Sequence, residues 1–200
     1  MADIGGIKIF RQEAKFVAGV TKPNQLPKLL LPQFAFVGKS NVGKSSLINK
    51  ICNRRALARV SHTPGRTQQI NFFSIADKFM LVDLPGYGFA KVSANQRANW
   101  EKLIVYYLEN SEHLRMVNLL IDARRGIKAN DIETMHLLTS VKKDFQLVFT
   151  KADKVGSLDQ FTTETQNHIS ALGLDCNIVI TSSKSGFGAK ELQASMLRVL

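Results

Sequence analysis

Two hundred residues suit one α/β domain, and a 44% hydrophobic, 22% charged composition excludes a disordered or fibrous chain. No apolar run approaches the roughly 18 residues of a membrane-spanning helix, and Met1–Gly6 lacks the charged-then-apolar order of a secretory leader, so a cytoplasmic location is expected. The net charge of +11 is lopsided: ten Lys or Arg and no Asp or Glu lie between Ala14 and Ala76, while the rest carries 17 basic and 16 acidic residues. A docking surface for nucleic-acid phosphates explains that asymmetry better than a solvated basic face.

Residues 1–33 read as an extended lead-in packed on a single domain of residues 34–200, with Pro23, Pro27 and Pro32 as breakers. Phe34–Val37 reads as a buried strand. Gly38, Lys39, Ser40, Asn41, Val42, Gly43, Lys44 and Ser45 then match G-x-x-x-x-G-K-[ST], and Ser46-Leu47-Ile48 opens a helix. Strand, loop and helix in that order are the setting a phosphate-binding loop needs: glycines let main-chain N–H groups curl round an anion, and the helix dipole adds positive charge there. Lys44 is expected on the β- and γ-phosphates, with the Ser45 hydroxyl on Mg²⁺.

From Cys52 to Gln69 no period is visible, which predicts a long functional loop. Thr67 is expected to join the Mg²⁺ shell when a γ-phosphate is present, with Thr63 as competitor. Gly65, Arg66, Gln68 and Gln69 are expected along the nucleotide. Ile70–Ile75 and Phe79–Val82 predict a hairpin around Ala76-Asp77-Lys78. It ends in Asp83-Leu84-Pro85-Gly86, where Asp83 would hold the metal and the Gly86 N–H would meet the γ-phosphate. Ser93–Gln96 has capping-box spacing ahead of a helix through Leu108. Strands over Met116–Ile121, Phe145–Phe149 and Ile178–Ile180 then alternate with helices over Asp131–Val141, Leu158–Leu172 and Ala189–Leu200. Such alternation predicts a mostly parallel sheet with helices on both faces and the hairpin as one antiparallel edge strand.

Ligands gather at the carboxyl ends of such strands. Thr150-Lys151-Ala152-Asp153 follows one of them. A carboxylate at Asp153 can accept from N1–H and N2–H₂ of guanine, a donor pair adenine lacks, while the Lys151 stem lies across the ring. Thr181, Ser182 and Ser183, after the last strand, would complete the base pocket. Cys52 and Cys176 have no C-x-x-C spacing and read as reduced thiols, and the four His have no metal-ligand spacing.

The ordered set GKSNVGKS, TPGRT, DLPG, TKAD and TSS resembles the TRAFAC class of GTPases and, over essentially the whole chain, the EngB (YihA/YsxC) family. The resemblance implies a three-layer P-loop NTPase fold of the Ras-like G-domain type and Mg²⁺-dependent binding of GTP and GDP. It also implies a role in assembly of the large ribosomal subunit through ribosomal RNA or a subunit precursor, with cell division and septation depending on it. A monomer without membrane attachment is expected, and Lys44, Thr67, Gly86 and Asn41 are the residues expected at the reacting phosphate. Two departures stand out. Thr150 replaces the usual Asn of the guanine motif, and Tyr87 stands where Ras-like proteins carry a water-orienting Gln, which implies slow intrinsic hydrolysis. Asn41 matches the Asn that coordinates K⁺ in related GTPases; Arg66 as an internal arginine finger is the weaker alternative. A P-loop ATPase or nucleoside kinase, and a scaffold that uses nucleotide only for stability, remain the rival readings.

Overall fold

The computed structural model describes residues 7–59, 69–87 and 94–200. Its strands are β1 (Ala14–Val20), β2 (Gln33–Gly38), β3 (Ile70–Ile75), β4 (Phe79–Asp83), β5 (Leu114–Asp122), β6 (Phe145–Thr150) and β7 (Asn177–Ile180). They form one sheet in the order β1-β3-β4-β2-β5-β6-β7. The helices among the described residues are α1 (Lys44–Ile51), α2 (Ala94–Asn110), α3 (Ala129–Ser140), α4 (Leu158–Ala171) and α5 (Ala189–Leu197).

Every residue of β2 is buried, yet its alternating side chains serve two cores. Phe34 and Phe36 point toward α1 and α5, meeting Leu47, Ile48, Ile51, Leu192 and Met196. Ala35 and Val37 point the other way, into the layer of Leu103, Tyr107, Met135, Leu138 and Ile169 from α2, α3 and α4. A period of two on a strand apolar throughout is what a sheet covered on both faces requires. Each fully buried Leu or Phe contributes about 1.5–3 kcal/mol relative to exposure.

β2 pairs in parallel with both β4 and β5, so the strand order turns about β2, and the crevice for a ligand opens at its carboxyl end. A polar ladder fixes the register beyond it: Gln146 Nε2 donates to Asn118 Oδ1 at 2.6 Å and to Ser195 Oγ at 2.9 Å, and Asn177 Nδ2 donates to Gln146 Oε1 at 2.8 Å. Asn118, Gln146 and Asn177 are direct partners across β5, β6 and β7. Asn118 and Gln146 are fully buried, so a one-residue slip would strand their amides in the core.

The mostly parallel sheet with helices on both faces is as expected from the sequence. Its edge is not. β3 is antiparallel to both neighbours, and the strand beyond it is β1, from a stretch that reads in the sequence as lead-in. β1 hides its signal because an edge strand buries little: Phe16 and Val17 are both exposed, and the register slips between Phe16 and Ala18. Ahead of it a 3₁₀ turn, Lys8–Arg11, buries Phe10 against Phe79 with ring centroids 5.0 Å apart.

Candidate functional site

The loop between β2 and α1 turns through two left-handed residues, Asn41 at φ 63° and Gly43 at φ 106°. The second falls where side chains are strained, which accounts for glycine there. The turn directs the first N–H groups of α1 into the crevice, where they have no partner within the helix. Lys44, the first residue of α1, pairs through its ammonium with the Asp83 carboxylate at the end of β4; their side chains are 10% and 4% exposed. Asp83 therefore lies beside the first turn of α1, where Ser45 follows Lys44.

Gly86 lies on the loop that follows β4. A Cβ there would come 3.1 Å from Gly38 O and 3.2 Å from Ser40 N, so glycine lets the two loops touch. Tyr87 seals the contact: its N–H donates to Gly38 O at 3.3 Å, and its carbonyl accepts from Ser40 N at 3.1 Å. The Tyr87 hydroxyl donates to Asp131 Oδ1 at 2.5 Å, while Asp131 Oδ2 accepts from Lys128 N at the start of α3. Burial, reinforced by that carboxylate, pushes the Tyr87 phenol well above its ordinary range, so it stays protonated and cannot serve as a base.

The segment after β6 is tied to the phosphate loop rather than standing apart. Thr150 Oγ1 donates to Val42 O at 2.6 Å, and the Lys151 ammonium donates to Asn41 O at 2.8 Å. Thr150 thus serves as a tie between loops. Lys151 has φ 61° and is half-buried, so its stem runs along the crevice wall. Asp153 is exposed and accepts from Ser182 Oγ at 2.5 Å; that bond is the main cause holding its carboxyl below the usual range. Thr181 plays a different part from the one its motif suggests. It is fully buried, its hydroxyl and N–H both donate to Phe149 O, and its carbonyl accepts from Ala152 N. Ser183, two residues on, is half-buried.

Two residues of the site carry no motif. Asp122, at the end of β5, accepts from Lys151 Nζ at 2.9 Å and from Arg124 Nε and Nη2 at 2.9 and 2.6 Å. Burial alone would raise its carboxyl, but the Arg124 and Lys151 bonds outweigh that and hold it well below the ordinary range. A signal was present in the sequence, an Asp closing an apolar strand as Asp83 does, but D-x-R is too short to stand out.

Of the expected site residues, Gly38–Ser45, Asp83–Gly86, Thr150–Asp153 and Thr181–Ser183 gather at one end of the sheet. Gln69 stands just before β3 and donates from Nε2 to Asn71 Oδ1 at 2.8 Å. Thr63, Gly65, Arg66, Thr67 and Gln68 lie outside the described residues. Among the described residues no cluster of three His, Cys, Asp or Glu could hold a metal by itself. A donor set of one serine hydroxyl and one carboxylate fits Mg²⁺ of the kind that takes its remaining ligands from phosphates and water. Cys52 is no nucleophile: it is buried, and burial pushes its thiol up to about 12.

Together the fold and this crevice define a P-loop nucleotide-binding domain with a mostly parallel sheet. Residues 33–151 match the family model described as 50S ribosome-binding GTPase. The chain is 56% identical over 195 residues to the probable GTP-binding protein EngB of Rickettsia felis, spanning 98% of this chain and 92% of that one. To its counterpart in Rickettsia bellii it is 54% identical over 197 residues, spanning 98% and 93%. The chain belongs to the EngB family of GTPases. A crystal structure of a probable GTP-binding protein EngB superposes with a TM-score of 0.69 at 21% identity, covering 84% of this chain and 97% of that one. Aquifex aeolicus Era bound to GDP and tetrafluoroaluminate superposes at 0.70 with 24% identity, covering 86% and 57%. At those identities the two structures speak for the fold alone.

Proposed function

We propose that this chain is a slow, Mg²⁺-dependent GTPase whose bound nucleotide gates its docking on a large ribosomal subunit precursor, acting as a cytoplasmic monomer. The observation that carries the nucleotide reading is the bonding of the base-side loop to the phosphate loop, through Thr150 Oγ1 to Val42 O and Lys151 Nζ to Asn41 O. One rigid unit then spans the length of a nucleotide, from Lys44 at the phosphates to Asp153 at the purine. Lys44 exchanges Asp83 for the β- and γ-phosphate oxygens, and Lys151 lays its stem against the base. Mg²⁺, held by the Ser45 hydroxyl and Asp83, would neutralise charge on those phosphates. Water attacks the γ-phosphorus and the bridging P–O bond breaks, giving GDP and phosphate. Tyr87 carries no amide to orient that water, which supports slow turnover.

Asn41 supports K⁺ beside the phosphates; equal turnover in Na⁺ and K⁺ would remove that assignment. Thr67 would join Ser45 and Asp83 in holding the metal in the triphosphate state, with Gly65, Arg66, Gln68 and Gln69 contributing to the nucleotide site. The basic stretch from Ala14 to Ala76 and the ribosome-binding description of the family support the ribosomal partner. Impaired division and septation on depletion would follow from the shortage of subunits. Competition of GTP and ATP for a fluorescent GDP analogue tests the nucleotide, and equal affinity would refute the base reading. Cosedimentation with purified large subunits tests the gate; equal binding by the nucleotide-free, GDP and GTP-analogue forms would refute it.

A further inference from the structure

The sheet separates the charge of this protein into two faces, and only one suits a polyanion. On the Phe34/Phe36 side lie the 3₁₀ turn Lys8–Arg11, the stretch 44–59 and the chain from 184 to 200. Together they carry ten Lys or Arg and one acidic residue, Glu191. The opposite side, counted likewise with its loops over residues 94–113, 123–144 and 151–176, carries nine Lys or Arg against ten Asp or Glu. The surplus of positive charge thus lies on one side of the sheet, although neither core needs it.

The basic residues of the first face are brought together by specific contacts. Arg54 Nη2 donates to Gln12 O at 2.9 Å, which sets the Arg54–Arg55 pair beside the turn carrying Lys8 and Arg11. Gln193 Nε2 donates to Ile51 O at 2.6 Å, which sets α5, with Lys190 one turn earlier, against the end of α1. The Lys50 stem passes the chain just before α5, so close that a Cβ on Gly186 would lie 3.0 Å from its Cε. Lys8, Arg11, Lys50, Arg54, Arg55 and Lys190 are all exposed, and none takes part in an ion pair among the described residues. Unpaired like charges that could each have had an acidic neighbour repel one another and weaken the fold slightly. They are best explained by a partner that supplies the anions.

We infer that this α1/α5 face is the RNA-docking surface of the protein, binding the phosphate backbone of structured RNA, with the α2/α3/α4 face turned away. The inference rests on the ribosomal reading above and gives it a place. Phosphate fits better than a lipid surface because the exposed large apolar side chains of this face, Phe187, Val199 and Leu200, are confined to the 184–200 segment, while Lys8–Arg11 and residues 44–59, which carry seven of its ten basic residues, expose none to enter a bilayer. It fits better than an acidic protein because the Arg forks match phosphate oxygens in pairs, and the charges extend over three chain segments as a backbone does.

The test uses the full chain loaded in turn with GDP and with a non-hydrolysable GTP analogue, and the form that binds RNA more tightly judges the face. One variant carries Lys8→Gln, Lys50→Gln, Arg55→Gln and Lys190→Gln; Arg54 is spared because it holds Gln12. A matched control on the other side carries Lys102→Gln, Arg115→Gln, Lys128→Gln and Lys142→Gln. Fluorescence anisotropy with a labelled RNA hairpin is followed across salt, with GDP affinity measured in parallel. The first variant should bind RNA at least ~10-fold more weakly, and its slope of log affinity against log salt should fall by about three, one fraction of a counterion per lost contact. The control should stay within about twofold, and GDP affinity should not change in either. Equal losses in the two variants, or no loss in the first, overturn the inference. So does binding of polyglutamate or phosphatidylglycerol vesicles as tight as that of RNA. Cosedimentation separates this failure from failure of the ribosomal reading: subunit binding kept by the first variant and lost by the control sinks the face alone. No subunit binding by the wild-type chain sinks the ribosomal role, while the RNA anisotropy still judges the face.

Discussion

Asp122→Asn isolates the residue that the site holds without a motif. The change keeps shape and one acceptor oxygen but removes the charge between Lys151 and Arg124. Arg124 is exposed, so solvent screens its pair with Asp122 and that pair counts for little. The Lys151 bond spans side chains 27% and 9% exposed, and a charge-assisted bond of that kind is worth about 1.5–3 kcal/mol. Roughly half of that should vanish with the charge, about 1–1.5 kcal/mol, so GDP should bind about tenfold more weakly through faster release. Release of a fluorescent GDP analogue gives the rate, and the cycle with Lys151→Ala gives the coupling. If Asp122 acts by placing Lys151, Asp122→Asn should change little once Lys151 is Ala; additive losses would refute the reasoning. The pH dependence has a definite sign. A carboxyl held below its unfolded value stabilises the protein above that value, about 3.9, and the gain is lost as pH falls through the folded one. Unfolding followed without nucleotide should show the stability gap between wild type and Asp122→Asn closing as pH drops below about 4.

Asp153→Asn should exchange guanine for xanthine nucleotides, because the amide can donate where the carboxylate accepted; competition between GDP and XDP measures it. In Gly86→Ala the new methyl would press on Gly38 O and Ser40 N at 3.1 and 3.2 Å. Single-turnover hydrolysis should fall at least ~10-fold while GDP affinity stays within about twofold, since the clash falls near the γ-phosphate end. Gln146→Ala should destabilise by about 2–4 kcal/mol by leaving the buried Asn118 and Ser195 without their partner, while the exposed Asn177 turns to water. Urea unfolding measures that, and a loss under about 1 kcal/mol would mean the ladder repacks.

The site was legible in sequence wherever one short segment carries a whole function. The phosphate loop needs its glycines, Lys44 and Ser45 next to each other, and β2 and α1 frame it as expected. What escaped is built from distant segments or from weak patterns. Asp122 gains its meaning from Lys151, 29 residues on, through a bond only the parallel pairing of β5 and β6 creates. β1 escaped because its outer edge faces water and its apolar residues do not alternate. Gln146 reads in the sequence as a polar interruption of a buried strand; its partners Asn118 and Asn177 show it to be a register device. The helices were legible to within a few residues at their ends, where side-chain caps and turn geometry decide.

The pairing of Lys44 with Asp83 makes a last prediction, because both groups are buried and each is the other's compensation. When nucleotide takes Lys44, that ammonium keeps an anionic partner, but the Asp83 carboxylate, 4% exposed at its side chain, loses its cation. An uncompensated buried charge costs about 3–5 kcal/mol. Wild-type affinity for GTP should therefore depend steeply on a divalent ion, through Asp83 as much as through the phosphates. Asp83→Asn carries no charge to strand, so it should bind GTP comparatively well in EDTA and gain much less when Mg²⁺ is added. Titration calorimetry on both proteins, with and without Mg²⁺, gives the ratio directly. If the gain from Mg²⁺ is the same in the two, the Lys44–Asp83 exchange is not what couples the metal to the nucleotide, and Ser45 with the phosphates must hold it without the carboxylate.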